Sequence, residues 1–326
     1  MELLWLSENE VQSLLDMDDA IYAVEGAFLE QGLKTVQMPP KSYLYYKNYD
    51  GDLRTMPAYL EGMDATGVKI VNVHANNPDK GLPTVMAVMV LNSPQTGAPL
   101  ALLGGTYLTG MRTGAAGVVA AKYLARKDSK VVGIVGAGAQ GRTQLLGLSR
   151  HFSIEMVKVA DLDLDRCRNF EEECRAFLDC NYLCTTEAKD VCDCDILVTA
   201  TTSRSPLVKN DWISEGTHIN AIGADAEGKQ ELESDILLRA KLVVDDITQA
   251  SHSGEVNVSL TKGEINLEDI YAQIGEIVAG KKPGRENDHE VTVFDSTGLA
   301  IQDVSTAQKV YCKAVEKGKG TKLCFL

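Results

Sequence analysis

No apolar run in this 326-residue chain is long enough to cross a bilayer, which takes about 20 such residues. The opening stretch "MELLWLSENEVQ" has no basic segment and no small-residue cleavage site, so a secretion signal is not expected. Positive charge is scarce: 32 Lys and Arg face 46 Asp and Glu, for a formal net charge of −14. Such a surface repels phosphate, which argues against nucleic acid or an anionic membrane as partner. Metal-site spacing is missing too. Six of the eight cysteines lie between Cys167 and Cys194, with no C-x-x-C pair and no histidine among them. A zinc site needs four convergent ligands, so free thiols in a reducing cytoplasm are the expected state. Internal repeats and low-complexity segments are absent as well.

The remaining composition, 44% apolar and 24% charged, is that of an ordinary soluble protein. The length supports two domains with cores of their own. Ser7 followed by Glu10 reads as a capping box opening a helix striped by Val11, Leu14 and Leu15. A second helical pattern, Ile21, Val24, Ala27 and Phe28, ends at Gly32. From "MPPKSYLYY" to "GAPLALLGG" short β-rich runs follow, broken by Asn, Gly, Pro and Asp, with "NSPQTGAP" as a hairpin connection. This predicts a mainly antiparallel β domain behind a helical lead-in, over residues 1–113.

Beyond Arg112 the pattern changes. "GAAGVVAAKYLAR" reads as a helix, with Arg112 and Thr113 at its opening. Near-continuous apolar strands such as "KVVGIVG", "MVKVADLD", "DILVTATT" and "KLVVDD" then alternate with amphipathic helices, and "LEDIYAQIGEIVAG" reads as one more helix. That alternation predicts a parallel sheet covered on both faces, an α/β domain over 114–302. "LAIQDVSTAQKVYCKAVEKG" reads as a long final helix.

Within "KVVGIVGAGAQGRTQLLGLSR", Gly136, Gly138 and Gly141 form a G-x-G-x-x-G between a strand and a helix. Gly136 makes the tight turn, Gly138 lets backbone approach a pyrophosphate, and Gly141 permits close helix–strand packing. The ligand's charge would rest on open N–H groups at the helix start, at Ala139 and Gln140. Asp161, ending "MVKVAD", supplies the carboxylate expected for a ribose diol and would repel a 2′-phosphate, favouring NAD over NADP. Its other reading is a helix N-cap before "LDLDRC". Arg142 and Arg166 leave NADP open. Together these features predict a Rossmann dinucleotide-binding domain. "TATTSRS" places Thr201, Thr202 and Ser203 at the sheet edge where the adenosine half would lie.

Four charged residues are candidates for the chemistry. Lys69 interrupts the apolar strand "GVKIVNVH", where it either enters a core face or simply points outward. Asp225 in "AIGADAEGK" follows a strand at the edge where such folds bind ligands, or serves as a turn residue before Gly228. Arg54 in "DLRTMPAYL" and Lys41 in "MPPKSYL" are candidate clamps for a substrate carboxylate, or solvated surface charge. His74 reads as a structural histidine, and Asp295 and Asp303 as caps or turn residues.

The strings "GIVGAGAQ", "MRTGAAG", "KGLPTVMAVMVLNSPQTGAPLALL", "AIGADAEGKQEL" and "FDSTGLAIQD" resemble the ornithine cyclodeaminase/mu-crystallin family, in order and across nearly the whole chain. Within it they resemble the archaeal-type alanine dehydrogenases. The resemblance implies a homodimer, a first domain for substrate and dimerisation, a C-terminal helix over 303–326 returning to that domain, and an active site between the domains. It implies that Lys69 contacts the reacting centre and Asp225 is the general base. Arg112 and Thr113 would meet cofactor phosphates or the substrate carboxylate, and Thr84 and Ser296 the nicotinamide side. Cyclodeaminases carry a glutamate two residues before a Met-Pro pair, where this chain has Arg54 before Met56-Pro57. A cation there repels the distal ammonium of ornithine. The expected reaction is therefore reversible oxidative deamination of L-alanine with NAD. Ornithine cyclisation, cyclic ketimine reduction and a non-catalytic mu-crystallin-like binding role are the alternatives.

Overall fold

Ser7 and Glu10 open the first helix, α1 (Glu8–Leu14), as the sequence predicts: each caps the other's backbone N–H in a full capping box. The computed structural model describes residues 1–326 and falls into two units, Met1–Arg112 with Leu299–Leu326, and Thr113–Gly298.

The first unit contains α1, α2 (Met17–Leu33) and strands β1 (Glu2–Leu6), β2 (Val36–Gln37), β3 (Ser42–Tyr46), β4 (Gly51–Leu60), β5 (Ala65–His74), β6 (Val85–Asn92) and β7 (Pro99–Gly104). They form one sheet in the order C-terminal strand, β1, β7, β6, β5, β4, β2, with β3 also paired to β4. All pairings are antiparallel except β1 with β7. The helical lead-in is thus preceded by a strand that the sequence reading did not anticipate. Alternate residues of the central strands, among them Met56, Ala58, Ala65, Val71, Met89 and Leu91, are buried. The long C-terminal helix (Ala300–Lys317) packs against β4, β5, β6 and α2. Each buried Val, Leu or Met contributes about 1.5–3 kcal/mol relative to exposure.

Three expectations are corrected in this unit. Helix α2 runs past Gly32, and Lys34 takes the left-handed C-cap with φ 65°. The final helix does not span 303–326: it stops at Lys317, where Gly318 adopts φ 60°, and Thr321–Cys324 forms a strand on β1. Arg112 and Thr113 do not open a helix. α3 (Thr106–Leu124) begins six residues before Arg112, where the Glu8 carboxylate accepts from the N–H groups of Thr106 (2.7 Å) and Tyr107 (3.1 Å).

The second unit holds β8 (Val131–Val135), β9 (Met156–Ala160), β10 (Asn181–Thr185), β11 (Ile196–Thr199), β12 (His218–Ala221), β13 (Lys241–Val244), β14 (Ile270–Gln273) and β15 (Thr292–Asp295). All pairings are parallel, in the order β10-β9-β8-β11-β12-β15-β13-β14. β11 and β12 are buried along their whole length, as a sheet covered on both faces requires. Strand order reverses between β8 and β11, and ligands of such folds bind outside the carboxyl ends at that point. Helix α4 (Ala139–Leu148) follows β8, and α5 (Leu164–Cys174) follows β9. "LEDIYAQIGEIVAG" is not one helix: Ile270–Gln273 joins β13 as β14, and only Ile274–Val278 is helical. The fold is the expected α/β class: one unit is a Rossmann-type parallel sheet and the other a mainly antiparallel α+β domain.

Candidate active site

The turn after β8 explains its glycines. Gly136 has φ +107°, and an added Cβ would lie 2.6 Å from the Ala200 carbonyl oxygen. A Cβ on Gly141 would lie 2.5 Å from the Gly136 oxygen. At Gly138 the nearest atom would be Arg166 Nη2, at 3.9 Å, so the space over the turn is open. Gly138 is also the N-cap of α4 and offers no side-chain cap, which leaves the helix's first N–H groups, at Ala139 and Gln140, without a capping side chain.

Asp161 is not the N-cap of α5; Asp163 is. Asp161 Oδ2 accepts from the Ala137 N–H at 3.0 Å and so closes the glycine turn, while Oδ1 lies 3.5 Å from Arg166 Nη1. Arg166 is largely in solvent. Arg142 turns the other way: it donates to the Ala137 carbonyl at 2.9 Å, pairs with Glu173 and stacks on Phe170. Only Arg166 therefore stands at the Asp161 carboxylate.

The loops after β11 and β12 share one anchor. Glu231, fully buried, accepts from Thr201 N at 2.7 Å and Gly223 N at 3.0 Å. Burial raises its pKa. Ser203 N donates to Thr201 Oγ1 at 3.1 Å, and Thr202 is exposed. Two residues beyond Gly223 comes Asp225, with a side chain 40% exposed and Oδ1 2.5 Å from Lys229 Nζ. At the end of β15, Ser296 is buried, and its hydroxyl has no hydrogen-bond partner. Asp295 beside it accepts at 3.2 Å from the N–H of Val256, the first residue of the helix Val256–Lys262, and so acts as a cap from outside that helix; burial first, then neighbouring Asp245, push its pKa up to about 8. The Thr113 carbonyl accepts from Gln144 Nε2 at 2.8 Å.

In the first unit, Lys69 enters the core face. It lies opposite Met56 on β4 and Met89 on β6, and its side chain is 1% exposed. Its Nζ donates to Asp303 Oδ1 at 2.7 Å. Arg112 Nε donates to the same oxygen at 2.9 Å, and Arg112 Nη1 to Gln302 Oε1 at 2.9 Å. Desolvation, followed by the Arg112 charge, brings the Lys69 pKa down to about 7; Asp303 opposes the fall, and Lys41 adds to it. Arg54 shares the Lys69 face of the sheet, because Arg54 pairs with Val71 and Met56 with Lys69. Its fork is closed on Asp52, Nε to Oδ1 and Nη2 to Oδ2 both at 3.0 Å, and it lies over the Tyr43 ring. The Thr84 carbonyl accepts from His74 N at 2.9 Å, and the His74 ring stacks on Tyr46.

Asp303 is the residue whose sequence reading most needs correction: it is no cap or turn but the buried partner of Lys69. Glu231, Gln302 and Lys229 were also missed. For Lys229 a signal existed, since it stands four residues after Asp225; for the others, the partners are remote in sequence.

A glycine turn and an acidic residue at the reversal of a parallel sheet define a dinucleotide-binding protein. The ornithine cyclodeaminase/mu-crystallin family matches residues 1–318, and the chain belongs to that family. It is 54% identical to alanine dehydrogenase of Archaeoglobus fulgidus over 326 residues, 100% of this chain and 99% of that protein. An archaeal alanine dehydrogenase dimer with bound NAD matches with a TM-score of 0.96 and 53% identity, covering 100% of both chains. The Delta(1)-pyrroline-2-carboxylate reductase of Thermococcus litoralis, in complex with NADH and L-proline, matches at 0.95 and 43%, covering 98% of this chain and 100% of that one.

Proposed function

We propose that this protein is an NAD-dependent alanine dehydrogenase, interconverting L-alanine with pyruvate and ammonia. The observation that carries the reading is the cation group around Lys69 in a protein of formal charge −14. Lys41, Arg54, Lys69 and Arg112 suit a substrate whose one certain charge is a carboxylate. They repel a second, distal ammonium, which disfavours ornithine. The 54% identity to an alanine dehydrogenase supports the same choice.

The second unit fits NAD. The open space over Gly138, the uncapped start of α4 and the Asp161 carboxylate suit a pyrophosphate and a ribose diol. Gly136, Gly138, Ala139, Gln140 and Gly141 would hold the phosphates, with Thr113, and Asp161 the adenosine ribose. Thr201, Thr202 and Ser203 would flank the adenosine half, and Thr84 and Ser296 the nicotinamide. When bound, NAD supplies the acceptor for the hydride that leaves the amine-bearing carbon.

The residues of the chain do the rest. Arg54 and Arg112 anchor the substrate carboxylate, with Lys41 adding charge; Arg54 reaches it by exchanging Asp52 for the ligand. Lys69, titrating near neutrality, takes the ammonium proton so that the amine's lone pair can drive oxidation to the iminium. Asp225 takes a proton from the water that adds to the iminium carbon, and ammonia leaves as the carbonyl forms. In reverse, protonated Lys69 polarises the carbonyl of pyruvate. A homodimer in the cytoplasm is part of the proposal, supported for assembly by the dimeric relative.

A second reading, reduction of a cyclic ketimine such as pyrroline-2-carboxylate, is favoured by the 43% identical reductase. That substrate also has a carboxylate and no distal ammonium. The test is a substrate panel with NAD and NADP. Alanine-dependent NADH formation with matching pyruvate supports the dehydrogenase. Pyrroline-2-carboxylate turnover without alanine turnover selects the reductase, and proline from ornithine selects the cyclodeaminase.

A further inference from the structure

We propose that Asp303 is a positioning residue for this reaction: one carboxylate oxygen holds the Lys69 ammonium and the Arg112 guanidinium together, fixing the spacing between proton carrier and carboxylate anchor. The inference rests on the role given above to Lys69.

Two hydrogen bonds converge on Oδ1, 2.7 Å from Lys69 Nζ and 2.9 Å from Arg112 Nε. Asp303 is 0% exposed, yet Oδ2 has no hydrogen-bond partner. A buried carboxylate kept only for stability would use both oxygens, because each unmade hydrogen bond in a core costs about 1–3 kcal/mol. It stands in the first turn of an 18-residue helix, where the dipole favours an anion. Gln302 adds a second tie to Arg112 through Oε1, and that same oxygen accepts from Leu299 N.

The charges around Lys69 give Asp303 a second effect. Arg112 from α3 and Lys41 from the segment before β3 both disfavour its ammonium; Arg54 on β4 is closed on Asp52, and the cross-strand neighbours Met56 and Met89 are neutral. Asp303 is the group that opposes them. Without it Lys69 gives up its proton at a lower pH, and the anchor and carrier are no longer tied.

The test is Asp303→Asn, which keeps the shape and removes the charge. In pyruvate amination, where Lys69 must be protonated, the alkaline limb of the pH profile should move down by at least about one unit. At neutral pH kcat should fall about tenfold while KM for NADH stays unchanged. Asp303→Glu should move the limb back toward the wild type. A folded Asp303→Asn protein with the wild-type limb would overturn the proposal. An independent readout uses nitrogen-labelled lysine and NMR, with the Lys69 signal identified by its loss in Lys69→Met. That signal should titrate near neutrality in the wild type and lower in Asp303→Asn. Should the Asn variant not fold, the wild-type signal decides: slow proton exchange at Nζ supports the ion pair, and free exchange with ordinary lysine titration overturns it. Absence of alanine turnover in the wild type would count against the reaction assigned, while the NMR titration would still decide on Asp303.

Discussion

Lys229 Nζ stands 2.5 Å from Asp225 Oδ1 and 3.4 Å from the Gly223 carbonyl oxygen, so the proposed general base is held against its own loop by the residue four positions later. Asp225→Asn should reduce kcat by about 10²- to 10⁴-fold and leave NADH binding intact. Lys229→Met removes only the tether. It should lower kcat about tenfold, with KM for NAD little changed, as expected for a partly exposed ion pair worth about 1 kcal/mol. Steady-state kinetics with coenzyme fluorescence titration checks both; full activity in Asp225→Asn would remove that residue from the mechanism.

Gly138 and Gly141 should respond differently to alanine. A Cβ at Gly138 meets nothing closer than 3.9 Å, so Gly138→Ala should change thermal stability little. It intrudes on the proposed pyrophosphate position, however, and KM for NAD should rise at least about tenfold. Gly141→Ala drives a Cβ to 2.5 Å from backbone and should lower Tm before affinity is even measured. Equal effects on Tm and KM at both positions would contradict this assignment of roles.

Cofactor choice follows from Asp161 and Arg166. Asp161→Ser removes the charge that repels a 2′-phosphate and releases Arg166 from its 3.5 Å pairing. The kcat/KM ratio of NADP to NAD should rise by roughly tenfold or more. An unchanged ratio would show that neither residue reads the ribose.

Much of this was legible in the sequence. The Ser7/Glu10 box is a local device and appears where it was expected. The parallel sheet is visible because strands buried on both faces must be apolar throughout. Longer-range features were not legible. Ile270–Gln273 has apolar spacing that also suits a helix, and only pairing with β13 makes it a strand. The start of α3 depends on Glu8, nearly a hundred residues earlier. Lys69 stood out as a charge in an apolar strand, but nothing near it named Asp303, 234 positions away.

Stability should carry the signature of the buried lysine. The Lys69 pKa is about 7 in the folded protein against about 10.4 unfolded. Between those values the unfolded chain binds more protons, so the Lys69 contribution favours folding progressively as pH rises from about 7 to about 10.4. Lys69→Met should abolish turnover, yet at neutral pH be as stable as wild type or more so, because Asp303 keeps Arg112 as partner. Denaturant unfolding should show the stability gap between the proteins narrowing as pH rises. A gap independent of pH would mean that Lys69 titrates as an exposed lysine.

The most direct measurement is a crystal structure of the protein with NADH and pyruvate. The account predicts the pyruvate carbonyl within hydrogen-bonding distance of Lys69 Nζ, its carboxylate on arginine, and Asp303 still joined to Lys69 and Arg112. Pyruvate bound away from Lys69, with that lysine and Asp303 sealed in the core, would contradict it.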